Sequence, residues 1–208
     1  MKTFQIGQCR IDLLPVVNGL TAETDRVRAA YGNYESYGAS MGIEGLEALR
    51  KRAEIGLDDI EVSELDIVYA EKMAAFGNVE TPSPPFCALV DLCAADGKQV
   101  IALDFNDNDY TTAYIENVST TEFVSEHRLA KKSHKQKFTA RTPAELAQEW
   151  DMYVGTVAGY AKLNRAREEH IAAEIADTAN YRKSLLAVVE SERADGIAAL
   201  LEEYIHER

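Results

Sequence analysis

The sequence is short of the features that most quickly assign a chain to a class. Its three cysteines, Cys9, Cys87 and Cys93, are an odd number at no zinc-like spacing, which argues against a disulfide framework and a cysteine-rich metal site. No apolar run approaches the roughly 20 residues a bilayer-spanning helix needs, and the N-terminus lacks the basic, apolar and small-residue order of a signal peptide. A cytoplasmic protein with no membrane span is the expectation. Positive charge is scarce as well: 22 basic side chains against 35 acidic ones give a net charge of −13, which opposes general binding to nucleic acid or to an anionic membrane. There is no internal repeat, no low-complexity tract and no complete catalytic motif.

What is present is enough apolar material for a core. With 208 residues, 46% of them hydrophobic, the chain fits one domain over residues 1–208. Leu185 to Val189 is a short apolar run, and Ile197, Leu200, Leu201, Tyr204 and Ile205 follow at helical spacing, which predicts a buried strand packed under its own helix. Thr3 to Leu14 reads as a strand and the loop leaving it, with Thr21 capping a helix through Tyr31. Tyr34 to Met41 is a second strand, Ile43, Leu46 and Leu49 a helical repeat, and Gln99 to Phe105 a strand that ends in acid. Ser63 with Asp66, Ser83 before Pro84, Ser119 with Glu122 and Thr142 with Glu145 are helix starts; the last opens a helix to about Ala176, with Gly155 and Gly159 as weak points. The predicted fold is α/β: a central, mainly parallel sheet with flanking helices and a large helical insertion over roughly residues 108–176.

Three stretches carry residues that could do chemistry. Asp104 to Asp109 alternates acids and amides like a calcium loop, but Asp109 stands where the turn needs glycine and Ile115 where a bidentate carboxylate is needed. A strand-to-helix turn with capping side chains accounts for it better, leaving Asp104 as a site candidate at the strand's end. From His127 to Ala144 there is no acid, while Arg128, Lys131, Lys132, Lys135, Lys137 and Arg141 accumulate. On a helix the basic residues share a solvated face and His127, Ala130, His134 and Phe138 form a separate packed stripe, a partner- or phosphate-binding face being the alternative. Trp150, Tyr153 and Tyr160 read as a core stripe. Cys87 and Cys93 read as buried thiols.

Arg167-Glu168-Glu169-His170-Ile171-Ala172-Ala173 resembles the Glu-Arg-Asp-x-x-Met-Ala helix of the TraB/PrgY group, whose wider family takes in the TIKI proteases and the ChaN and erythromycin-esterase-like proteins. Leu186 to Val189 and Gly196-Ile197 are similar to the strand and helix that frame that family's Val-Val-Gly-Ala-Gly-His-x-x-Gly-Ile. In place of Gly-Ala-Gly-His this chain has Glu190, Ser191, Glu192 and Arg193, and in place of an early Gly-Thr-x-His it has Gly7-Gln8-Cys9-Arg10. Asp104-Phe105 stands where the family has Asp-Arg, and the acid that the family has after its second strand falls at Met41-Gly42, where this chain has none.

The resemblance implies an α/β sheet with a helical middle and a site in which both family histidines are arginines. Arginine offers no lone pair to a metal, so those two positions cannot hold one. The expectation is a non-catalytic binding or regulatory module with no cofactor, in which Arg10 and Arg193 meet across strand ends to hold a small anion beside Asp104, Glu190 and Glu192. Pairing of those acids with the arginines is the competing account. The expected partners are a small anion or another protein, a homo-oligomer among the options. The alternative is a hydrolase using a hard metal ion held by Asp104, Asp107, Glu190 and Glu192. Haem or iron binding, by analogy with the ChaN branch, has no ligand defined by the sequence.

Overall fold

The computed structural model describes residues 1–54 and 63–206. Its strands are β1 (Lys2–Ile6), β2 (Cys9–Val16), β3 (Ser36–Ala39), β4 (Val100–Ala102) and β5 (Ser184–Glu190), joined in one sheet in the order β1-β2-β5-β3-β4. β1 and β2 are an antiparallel hairpin, and β2, β5, β3 and β4 run parallel. The sheet is therefore mainly parallel, as the apolar run at Leu185 predicts. The described helices are α1 (Glu23–Ala30), α2 (Ile43–Arg50), α3 (Glu64–Met73), α4 (Pro84–Ala95), α5 (Asp107–Asn117), α6 (Thr120–Ser133), α7 (Pro143–Val154), α8 (Ala158–Thr178) and α9 (Ala194–His206). None is long and apolar enough to cross a membrane.

Central β5 is apolar at every inner position because both of its faces are covered. Leu185, Ala187 and Val189 point to the layer of α8 and α9, where they meet Ile171, Ile175, Ile197 and Leu201. Leu186 and Val188 point the other way, to the layer holding Val27, Leu46, Phe86 and Leu89 of α1, α2 and α4. This is the period-two alternation of a strand, and each of these large side chains contributes about 1.5–3 kcal/mol by leaving water.

The opening segment differs from its expectation. Gly7, at φ 56°, and Gln8 turn the chain, so Thr3 to Leu14 is two strands of a hairpin rather than a strand and its loop. The strand beside β5 is thus β2, and its carboxyl end is Val16, not Gly7. The expected cap at Thr21 is also displaced: α1 starts after Ala22, and the Thr21 hydroxyl donates to the Asn78 carbonyl instead. The caps at Ser63, Asn106, Ser119 and Thr142 are present, Ser119 with Glu122 as a complete capping box. Asn106 accepts from the Asp109 N–H, so the acid-rich turn after β4 is a helix cap.

The expected long helix from Thr142 is two. After α7 the chain tightens, with Thr156 and Val157 N–H groups bonding only three residues back, and α8 begins at Ala158. Gly159 is a close approach rather than a kink: a Cβ there would lie 2.8 Å from the Asn117 carbonyl oxygen, and its N–H donates to Glu122. The helical stretch from α5 to α8 is not set apart from the sheet, since the second half of α8 supplies Ile171, Ala172 and Ile175 to the core.

Candidate functional site at the carboxyl edge of the sheet

In an open parallel sheet, ligands gather beyond the carboxyl ends of the strands. Here those ends are tied together by the backbone: the Ser191 N–H donates to the Val16 carbonyl, the Ser40 N–H to the Val188 carbonyl, and the Glu190 N–H to the Ser40 hydroxyl. Above them lies a cavity of about 780 Å³, lined at its base by Arg167, Glu190, Glu192 and Arg193.

Two arginines, Arg193 buried and Arg167 half-buried, organise that base. Arg167, on the inward stripe of α8, donates through Nε and Nη2 to Asp104 Oδ2 at 2.9 and 2.6 Å, and through Nη2 to Glu190 Oε2 at 2.9 Å. Burial opposes its charge, but Glu190 and Asp104 outweigh burial and push its pKa upward. Arg193, 3% exposed, donates to Glu168 Oε1 at 2.9 Å, and its Nη2 abuts Asp151 Oδ1 as an ion pair without hydrogen-bond geometry. Burial brings the Arg193 pKa down to about 10, against the opposing pull of Asp104. Gly196, at the first turn of α9, leaves the room that Glu168 occupies; a Cβ there would collide with its carboxylate.

The fifth acid has no such partner. Glu192 accepts from the Ser191 hydroxyl at 3.2 Å, and burial followed by the charge of Glu190 pushes its pKa up to about 8. Burial thus favours its protonated form. The acids paired with the two guanidiniums, Asp104, Asp151, Glu168 and Glu190, outnumber them, and of these Asp151 and Glu190 line the cavity.

The walls are aromatic. Tyr69 of α3, Tyr110 and Tyr114 of α5, Phe123 of α6, Trp150 of α7 and Tyr160 of α8 line the cavity, together with Glu126 and Asp66. Tyr69 and Trp150 rings lie 5.8 Å apart, and Tyr160 donates to Glu126 at 2.7 Å. The Tyr69 hydroxyl is buried and has no hydrogen-bond partner among the described residues. An unmade buried bond costs about 1–3 kcal/mol, so Tyr69→Phe should leave the unliganded protein as stable as before or about 1 kcal/mol more so in urea titration. A marked loss would mean that the hydroxyl is bonded after all.

The sequence-predicted residues separate into two groups. Asp104, Glu190, Glu192 and Arg193 are together at this edge. Arg10 is not: it opposes Ser184 at the start of β5, whereas Glu190 opposes Val16, six residues and about 20 Å further along β2. It pairs with Asp12 at 2.8 Å, at the other end of the sheet, so Arg10 and Arg193 do not meet. The carboxylate metal set does not assemble either. Asp107 is exposed on α5 with its N–H donating to Glu44, Asp104 and Glu190 are turned onto Arg167, and among the described residues no three His, Cys, Asp or Glu side chains are placed to share a metal.

Sequence reasoning missed Arg167, Glu168, Asp151 and Tyr69; its core reading holds for Tyr160, which is buried in a core cluster and also lines the cavity, whereas Trp150 is a cavity wall. One signal was available: Arg167 interrupts an apolar row spaced by four, Leu163, Ile171 and Ile175. The predicted packed stripe holds at Ala130 and Phe138 but not at its histidines. His127 and His134 are exposed and face Glu64 and Glu71 of α3 at 2.6 and 3.3 Å, while Leu129, Ala130 and Ser133 are the buried residues of α6. Cys9 and Cys93 are buried and Cys87 half-buried, burial raising each thiol's pKa. Comparison with protein-family models, curated proteins and solved structures gave no match.

Proposed function

We propose that the protein is a binding module, on a TraB-like α/β scaffold, that takes a small organic cation into the cavity at the carboxyl edge of its sheet. The observation that carries this reading is the make-up of the cavity, whose lining sets aromatic rings beside Asp66, Glu126, Asp151, Glu190 and Glu192, with two arginines that are already in ion pairs. An anion entering this space would meet excess negative charge, and Arg193 Nη2, which lacks a hydrogen bond among the described residues, already abuts Asp151. A cation gains twice, from the carboxylates and from the aromatic faces, each ring worth about 0.5–2 kcal/mol to a desolvated cation.

Thermal-shift measurements with paired probes of one shape and opposite charge test the reading. Butylamine and choline should raise the melting temperature, and butyrate and inorganic phosphate should not. Stabilisation by the anions alone would overturn it. The TraB-like scaffold is a separate part of the proposal, resting on the Arg167 helix and on the β5–α9 corner.

A further inference from the structure

A second cavity of about 550 Å³ adjoins the first, and the two share Asn18, Asp66 and Tyr69 in their linings. Its character is different: Met41, Leu49, Ile67, Ala70, Val79 and Pro82 make its walls largely apolar. Tyr69 is the large side chain of the partition. Its hydroxyl is buried without a partner among the described residues, and the acids that bear on it most are Glu192 and Glu190 at the base of the first cavity. A phenol oxygen in that position lacks a donor, and a primary ammonium supplies three.

From this we infer that the two cavities are lobes of one site for an elongated primary amine, whose ammonium sits among Tyr69, Glu190 and Glu192 and whose apolar tail passes Tyr69 into the second lobe. The inference rests on the cation reading above and extends it to the shape of the ligand. Three features support the tail's direction. The apolar lobe begins where the acidic one ends, the ring between them is not held by a hydrogen bond at its tip, and the second lobe has room for a chain of several methylenes.

Calorimetric titration of n-alkylamines from butylamine to octylamine is the test. Each methylene entering the apolar lobe should tighten binding about fourfold, so octylamine should exceed butylamine by about two orders of magnitude. Ile67, 48% exposed on α3, allows the lobe to be filled without disturbing the core: Ile67→Trp should cut the octylamine-to-butylamine ratio at least tenfold. Ala70→Leu fills the same lobe from a second position and should act likewise. Butylamine binding with no gain from longer chains, or a gain that survives both variants, overturns the two-lobed site and leaves the cation site standing. No binding of any amine overturns both.

Discussion

Replacing Arg167 with alanine should destabilise the protein by about 3–5 kcal/mol, the largest effect expected of any single change at the site. The side chains of Asp104 and Glu190 are only 6% and 15% exposed, and Arg167 is the cation that both face. Removing it leaves two carboxylates in a space with little water to receive them. The cost is that of uncompensated charge rather than the net worth of the ion pairs. A triple variant separates the two: Arg167→Met with Asp104→Asn and Glu190→Gln should recover most of the loss, because no charge is then left unpaired. Urea unfolding of the single and triple variants measures both. If the single variant loses less than about 1 kcal/mol, the network does not organise this edge of the sheet.

The second large effect is on the pH dependence of stability, and it comes from Glu192. The fold holds the Glu192 proton to about pH 8, whereas an unburied glutamate releases it near 4.5. Between these values the native state binds more protons than the unfolded chain, so stability falls as pH rises. The contribution is complete below about pH 4.5 and is lost as pH passes through about 8. Glu192 keeps some contact with the open cavity, which tempers the slope to an order of 1 kcal/mol per pH unit at most. The groups with lowered pKa act outside that window. Hydrogen bonds from Thr3 and Tyr34 overcome burial at Asp12, and those from Ser119 and Thr139 act on Glu122 and Glu149, so their contributions are lost on acidification. Glu192→Gln should therefore flatten the decline between pH 5 and 8, as read by denaturant midpoints across that range. An unchanged slope would place the titrating group elsewhere.

Local sequence pattern was a good guide wherever the structure depends on neighbours in sequence. The apolar run of β5, the turn at Glu190 to Arg193, the start of α9 and the caps at Ser63, Ser119 and Thr142 are all local events, and each stands where the residues put it. Pairing is not local. Phe4 and Ile6 mark β1 as a strand, but nothing in their spacing says that β2 rather than β1 lies beside β5, and that choice moved Arg10 from one end of the sheet to the other. The same holds for α6. Its helical wheel separates basic and histidine faces, yet which face is buried depends on α3, more than fifty residues away.

The acids Asp104, Glu190 and Glu192 could be placed at strand ends from the sequence, but their chemistry depends on what covers them. Arg167, Asp151 and Glu168 arrive from α7 and α8, and Tyr69 from α3, so the character of the site belongs to tertiary packing. Their arrival changes the expected ligand from anion to cation. It sets both arginines in ion pairs and adds an aromatic wall beside the acids.

The most direct measurement of that change is calorimetry of butylamine binding at pH 7 in two buffers of different ionisation enthalpy, beside butyrate as the charge-reversed control. An ammonium seated against Glu192 lowers its proton affinity, so binding should be one to one and release close to one proton, and Glu192→Gln should abolish the release. Binding of butyrate in preference to butylamine, with protons taken up rather than released, would contradict the account.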